Sequence, residues 1–285
     1  MKSFHVVLGA VLVLSLAAPA AAGAAESETQ WRQRLSSRDE IAQADITEEV
    51  RFGREVAARI IGRYGLYDNA GLNRYVNLVG TVLTMSTNRP ELEFHFAILN
   101  TDEINAYAAP GGYIFVTRGA LLKMRDESEL AGVLAHEIGH VVEKHVVKEL
   151  DIHGLEDSSA YTAAASLARV ISGSTDAARV AFAQAVDQAM DILFKDGYKR
   201  EDETQADRDS VMFCAMSGYD ASGLMHYFER INSLKGKQIE VLDKTHPSFQ
   251  DRIGWLNDTI KKEGIDSGNY KNYTERFGEA MKQLK

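Results

Sequence analysis

His136, Glu137 and His140 stand in the order His-Glu-x-x-His, with Ile138 and Gly139 between them. On a helix, positions i and i+4 share one face, one turn apart. Two imidazoles so placed reach one zinc ion at about 2.0–2.1 Å. Glu137, on the metal's side, is placed to take a proton from the water that such an ion activates. The pattern arises by chance in roughly 1% of chains of this length, so context has to support it. Leu130, Val133, Leu134, Ile138 and Val141 recur at helical spacing around it, which predicts the helix independently.

Catalytic zinc keeps three protein ligands and one open position. A third histidine six residues after His140 is ruled out, because Val146 stands there and His145 is out of register. The run Glu203-Thr204-Gln205-Ala206-Asp207 offers a carboxylate from a later element. Glu203 and Asp207 are i and i+4, so one can bind the metal while the other orients a ligand imidazole. Ala206 leaves room for close helix packing. Glu201 and Asp202 compete for the ligand role on residue type alone.

Two further residues have chemistry with more than one reading. His246 precedes Pro247 and so sits in a loop. It could hydrogen-bond an oxyanion, occupy the open metal position and silence the site, or cap a helix. Arg252 carries a permanent charge on the last clear helix. It could stabilise an oxyanion or pair with a carboxylate of the site. His95, His145, His153 and His226 have no partner spacing and read as structural. Cys214, the lone cysteine, lies in an apolar helical stretch and reads as core packing.

The elements that must position these groups follow from periodicity. Thr47–Tyr64, ended by Gly65, and Asn69–Met85 read as amphipathic helices. Leu92–Leu99 alternates as a strand. Asn105–Ala108, a Pro110-Gly111-Gly112 turn and Tyr113–Thr117 read as a strand pair. In that pair Asn105, Ala106, Tyr107 and Ala108 form a candidate substrate edge, to which an extended peptide could bond through main-chain groups. The plain alternative is a structural hairpin. Glu127–Leu150 reads as one helix, Lys199–Ser217 and Ser222–Leu234 as two more, and Pro247 opens another to Lys262. The fold class is therefore α+β and mostly α-helical, with a small antiparallel sheet beside the metal helix. Residues 151–198 read as an insertion of two Ala-rich helices, Ser158–Ile171 and Thr175–Phe194. Arg169, Asp176, Arg179, Asp187 and Asp191 interrupt any run of the ~20 apolar residues a membrane span needs. The insertion lies between the two ligand helices in sequence and so could cover the cleft as a lid.

The start of the chain sets the compartment. Lys2 precedes the apolar stretch from Val6 to Ala18, then Pro19 and an alanine tract. This is the pattern of a cleaved secretory signal peptide at 1–25. It leaves 26–285 as a single metallopeptidase domain in an exported, periplasmic setting. The formal net charge of -9 disfavours a general nucleic-acid binder. A single cysteine permits no internal disulfide, so stability rests on core burial and metal.

Four segments occur in a fixed order: Asn105-Ala106-Tyr107-Ala108-Ala109-Pro110-Gly111-Gly112-Tyr113-Ile114, His136 to His140, Glu203 to Asp207, and His246-Pro247 with Arg252-Ile253. Together they resemble the zinc peptidase family of the HtpX and CAAX prenyl protease type, and more closely its soluble periplasmic members, which act in outer-membrane protein assembly and quality control. The resemblance covers about Ile41 to Leu256. It implies Glu203 as the third ligand beside His136 and His140, one Zn²⁺ per chain, and a gluzincin-like fold. It also implies unfolded or misassembled polypeptides as substrates, with the outer-membrane assembly machinery as a partner. Two departures are the lack of membrane spans after the leader and of a helical-repeat domain after Leu256. A different class stays open: a chaperone or adaptor that binds unfolded outer-membrane proteins and rarely cuts. Binding alone has no need of Glu137. A third reading, a short-peptide exopeptidase, would require a charged pocket for a chain terminus.

Overall fold

The computed structural model describes residues 43–150, 176–234, 236, 239–265 and 270–284, all within one compact unit. The expected signal peptide at 1–25 and the first helix of the insertion, 158–171, lie outside the described residues.

Helix α1 (Gln43–Tyr64) ends where Gly65 adopts φ 71 and returns its N–H to Ile61 O. Helix α2 (Ala70–Thr84) is capped by Asn69, whose side chain accepts from the Leu72 N–H. Strands β1 (His95–Leu99), β2 (Ala106–Ala109) and β3 (Tyr113–Thr117) form one sheet in the order β1-β3-β2. β2 pairs antiparallel with β3, as a tight turn requires, but β1 pairs parallel with β3. The sheet is therefore mixed, not antiparallel. The physical reason is that β3 returns between β1 and β2, a non-local pairing that strand periodicity does not encode.

Alternate side chains of this sheet go to opposite faces. Ala106, Ala108, Ile114 and Val116 join the main core with α2 and α4 (Glu127–Val142). Tyr107, Ala109 and Phe115 join a second core with α1 and α6 (Asp176–Asp191). Helix α4 is buried along its whole length; its polar first turn is held by partners, Glu127 by Tyr219 and Arg276, Ser128 by the Lys271 carbonyl and Glu129 by Arg230. Asp126 caps its N-terminus by accepting from the Glu129 N–H at 3.0 Å.

The expected single helix over Glu127–Leu150 is two. It breaks after Val142 because Lys144 adopts a left-handed conformation, φ 57, and the chain restarts as α5 (His145–Glu149). Between β3 and α4 lies a single turn, α3 (Arg118–Leu121). After α6 a π turn (Ile192–Asp196) leads to α7 (Arg200–Met216). Helix α8 (Gly223–Ile231) packs on α4, α9 (Glu240–Thr245) delivers His246, and α10 (Phe249–Lys262) carries Arg252. A last helix, α11 (Thr274–Met281), buries Phe277 and Ala280. Periodicity anticipated neither α9 nor α11, both too short to repeat a pattern. Among the described residues, no helix is long and apolar enough to cross a membrane.

Candidate metal centre

Helix α4 presents His136 and His140 one turn apart, with Nε2 atoms 3.0 Å from each other. Helix α7 lies against it. Ala206 fills the place where a side chain at Gly139 would stand, so the two backbones come close. This brings Glu203 Oε2 to 3.7 Å from His136 Nε2 and Oε1 to 3.6 Å from His140 Nε2. The end of α9 brings His246 Nε2 to 3.6 Å from Glu203 Oε1. One donor atom each of His136, Glu203 and His246 falls within 4.8 Å of the others. His140 enters the same nest through its contacts to His136 and Glu203.

The hydrogen-bond partners fix which ring nitrogens carry protons. His136 Nδ1 lies 3.0 Å from Asp207 Oδ1, so Nδ1–H donates and Nε2 keeps its lone pair. His145 Nε2 faces Gln205 Oε1 at 3.4 Å and Asp202 Oδ1 at 3.5 Å, both acceptors. That leaves His145 Nδ1 to accept from His140 Nδ1–H at 2.8 Å, and His140 Nε2 is again a lone pair. Thr245 Oγ1 gives its proton to Val241 O and so accepts from His246 Nδ1–H at 2.9 Å. His246 Nε2 is then a lone pair as well. Both oxygens of Glu203, which is fully buried, have no hydrogen-bond partner.

Three imidazole lone pairs and the Glu203 carboxylate face one another in a buried space with the Arg252 charge at one side, an arrangement that a metal cation among them would satisfy. The edges of a tetrahedron with ligands at 2.0–2.1 Å measure about 3.3 Å, which the 3.0 to 3.7 Å separations bracket. Imidazole nitrogens with one carboxylate suit zinc among the divalent metals, not calcium or magnesium. The donor set thus fits the metal that the sequence implies.

Electrostatics agree. Burial drives His136 and His140 well below the usual histidine range, helped at His136 by the Arg252 charge, so both are neutral and able to ligate. Burial pushes His246 down to about 3 and His145 down to about 4. Burial raises the Glu203 carboxyl well above its ordinary range, with Arg252 opposing. Glu137 is buried beside the nest, and desolvation lifts it to about 8 against the pull of Arg252.

Arg252 is fully buried and fully engaged. Its Nε donates to Asp207 Oδ2 at 3.0 Å, and one terminal nitrogen donates to Asp207 Oδ1 at 2.6 Å. The same terminal nitrogen stands 3.1 Å from the His136 ring nitrogens, the other lies 3.4 Å from Glu203 Oε2, and the guanidinium covers the Phe228 ring. Of its two sequence readings, the geometry is that of the carboxylate partner. Asp207, between His136 and Arg252, holds both. Of the competing carboxylates, Glu201 is exposed and Asp202 faces His145.

Asn105, Ala106, Tyr107 and Ala108 lie at or on β2, an edge strand, but all are buried. Tyr107 Oη meets Tyr64 Oη at 3.1 Å, and its ring packs on Phe194. Ala108, Ala109 and Pro110 face His140, Lys144 and Val147 across a small apolar recess of about 180 Å³ including its mouth. A peptide pairing with this edge has to widen that recess. His95 and His226 are exposed, whereas His145 is a site residue that sequence reasoning set aside. Its i+5 spacing fits no straight helix, and only the break at Lys144 brings it back onto His140. Tyr198 was missed too: its ring stacks on His140 with centroids 4.1 Å apart.

Residues 71–260 match the sequence profile of Peptidase family M48. The chain is 26% identical over 256 residues to the beta-barrel assembly-enhancing protease of Escherichia coli K12, covering 88% of this chain and 51% of the relative. A Vibrio cholerae protein provisionally given the same name is 30% identical over 211 residues, covering 73% and 43%. The mitochondrial metalloendopeptidase OMA1 of Schizosaccharomyces pombe is 26% identical over 246 residues, covering 81% and 68%. The chain thus spans about half the length of the two bacterial relatives.

Proposed function

This chain belongs to peptidase family M48, a family of metal-dependent peptidases, and from that premise we propose that it is a periplasmic zinc metalloendopeptidase. Its proposed substrates are unfolded or misassembled polypeptides, outer-membrane proteins among them. The observation that carries the reading is the convergence of His136, His140 and Glu203, all acceptor-only, beside a buried Glu137. The substrate class draws on the relatives named for beta-barrel assembly. The compartment draws on the leader-like first 25 residues.

His136, His140 and Glu203 would hold the zinc, which when bound would supply Lewis acidity to the scissile carbonyl and lower the pKa of a water toward ~7. Glu137 accepts the proton of the attacking water and hands it to the leaving amine. Its burial beside the ligands suits a group that must take a proton and return it. Asp207 fixes the His136 ring through Nδ1, and Arg252 fixes Asp207 in turn. His145 does the same for His140. The main chain of β2 is the proposed substrate edge, from Asn105 to Ala108. His246 is proposed as a further ligand in the resting state, since its free Nε2 points at Glu203. Such a ligand keeps the site latent until substrate displaces it.

The test is elemental analysis and mass spectrometry. The purified chain is expected to hold one zinc and to fragment an unfolded outer-membrane protein, with both lost on chelation. His136→Ala, His140→Ala and Glu203→Ala are each expected to lower zinc content and thermal stability. Full zinc in His140→Ala would contradict the assignment.

A further inference from the structure

Gly197 has φ 74 and ψ −177 and runs so close to α9 that a Cβ there would lie 2.0 Å from the Thr245 carbonyl oxygen. That contact anchors the segment just before α7 and sets Tyr198 over the metal nest. The Tyr198 ring lies nearly parallel to His140, at 17°, and tilts over His145 at 6.0 Å. The residue as a whole is partly exposed, but its hydroxyl is shut off from solvent and has no hydrogen-bond partner. Beyond burial, the carboxyls of Glu137 and Glu203 act on it most strongly.

A buried phenol without a partner is costly, and proteins avoid it. The hydroxyls of Tyr64, Tyr75, Tyr107 and Tyr219 all have partners. Tyr227 shares the deficit, but its charged neighbours are Glu129 and Arg230. Tyr198 Oη is therefore an uncommitted donor placed among acceptors. Peptide hydrolysis places new negative charge on the carbonyl oxygen, and donors preorganised for that charge lower the barrier. Asn105 Nδ2 is likewise buried without a partner, but it lies at the start of the proposed substrate edge, whereas the Tyr198 ring stacks on the ligand His140 itself. Arg252 is bound to Asp207 and paired with Glu203, and His246 spends its N–H on Thr245.

We propose that Tyr198 is a catalytic residue whose phenol O–H donates a hydrogen bond to the scissile carbonyl oxygen as it gains charge. This rests on the metallopeptidase reading of the same site. Tyr198→Phe keeps the stack on His140 and removes only the donor.

The experiment uses the zinc-loaded full chain, alone and in a His246→Ala background, with unfolded casein as substrate. Tyr198→Phe is expected to lower kcat by about 10²-fold, with KM within about twofold and zinc content unchanged. A phosphonamidate peptide, which mimics the tetrahedral oxyanion, should bind the variant more weakly by a similar factor. The melting temperature of the metal-free variant should be unchanged or raised, because no hydrogen bond is lost from the resting fold. Parental kcat and parental phosphonamidate affinity in Tyr198→Phe would overturn the role while leaving the peptidase reading intact. A lower metal-free melting temperature with reduced zinc would overturn it in favour of a structural hydroxyl. If neither parent cleaves casein, the peptidase reading fails and the role fails with it.

Discussion

A Cβ built on Gly139 would lie 3.2 Å from the Cα of Ala206, a contact between the backbones of α4 and α7. That closeness sets how near Glu203 comes to His136 and His140. Gly139→Ala adds a methyl group that α7 accommodates only by moving a few tenths of an ångström away. Overpacking of this kind costs about 1–3 kcal/mol, and the helix-propensity gain of about 1 kcal/mol offsets part of it. The expected result is a small loss of stability with a larger loss of zinc affinity, read by titration against a chromophoric chelator. Wild-type affinity in Gly139→Ala would mean that the helix spacing does not set the site.

Asp207 touches His136 at 3.0 Å and accepts from Nε and one terminal nitrogen of Arg252. Asp207→Asn keeps a polar partner and is expected to weaken zinc binding about 10–100-fold. Asp207→Ala also strips the buried Arg252 charge of its two hydrogen bonds and leaves it only the longer contact to Glu203; breaking such a buried pair costs roughly 3–5 kcal/mol. Urea unfolding of the two variants should therefore separate them widely. Equal midpoints would show that Arg252 does not depend on Asp207.

How much of this was legible in the sequence varies residue by residue. His136, Glu137 and His140 declare themselves because the helical repeat converts spacing into direction. Glu203 and Asp207 were narrowed the same way, but their separate roles needed the rings they face. His145 was illegible because it depends on the left-handed turn at Lys144. Tyr198 depends on a π turn and on a glycine pressed against Thr245. The parallel pairing of β1 with β3 joins segments that no local pattern links. Arg252 was read as either a catalytic donor or an ion-pair partner, and spacing says nothing of its contacts with Asp207.

Metal binding should release protons. In the metal-free fold burial lifts Glu137 to about 8 and raises the Glu203 carboxyl above its usual range. A cation drives them toward the ionised form. Apparent affinity must then rise with pH up to about 8, where Glu137 is half ionised before the metal arrives. Calorimetry at pH 7 in buffers of different ionisation enthalpy should report about one proton released per zinc, from Glu137. Release of none, with pH-independent affinity, would show that the carboxyls are already ionised without metal.

His246→Ala distinguishes a resting ligand from a catalytic one. If its Nε2 occupies the metal's remaining position, the variant should keep its zinc and cleave casein faster than the parent. A 10²–10³-fold fall with zinc intact would instead give His246 an oxyanion role. Unchanged rates would leave it a packing residue at the end of α9.

The most direct test of metal-assisted hydrolysis is Glu137→Gln assayed on an unfolded β-barrel protein by mass spectrometry of the products, with zinc content measured on the same sample. Glu137 is buried next to the ligands but is assigned no metal bond, so the variant should retain its zinc and its fold. Peptide-bond cleavage is expected to fall by several orders of magnitude, because removal of the general base stops proton transfer from the attacking water. Parental cleavage by zinc-loaded, contaminant-free Glu137→Gln would contradict the account at its centre.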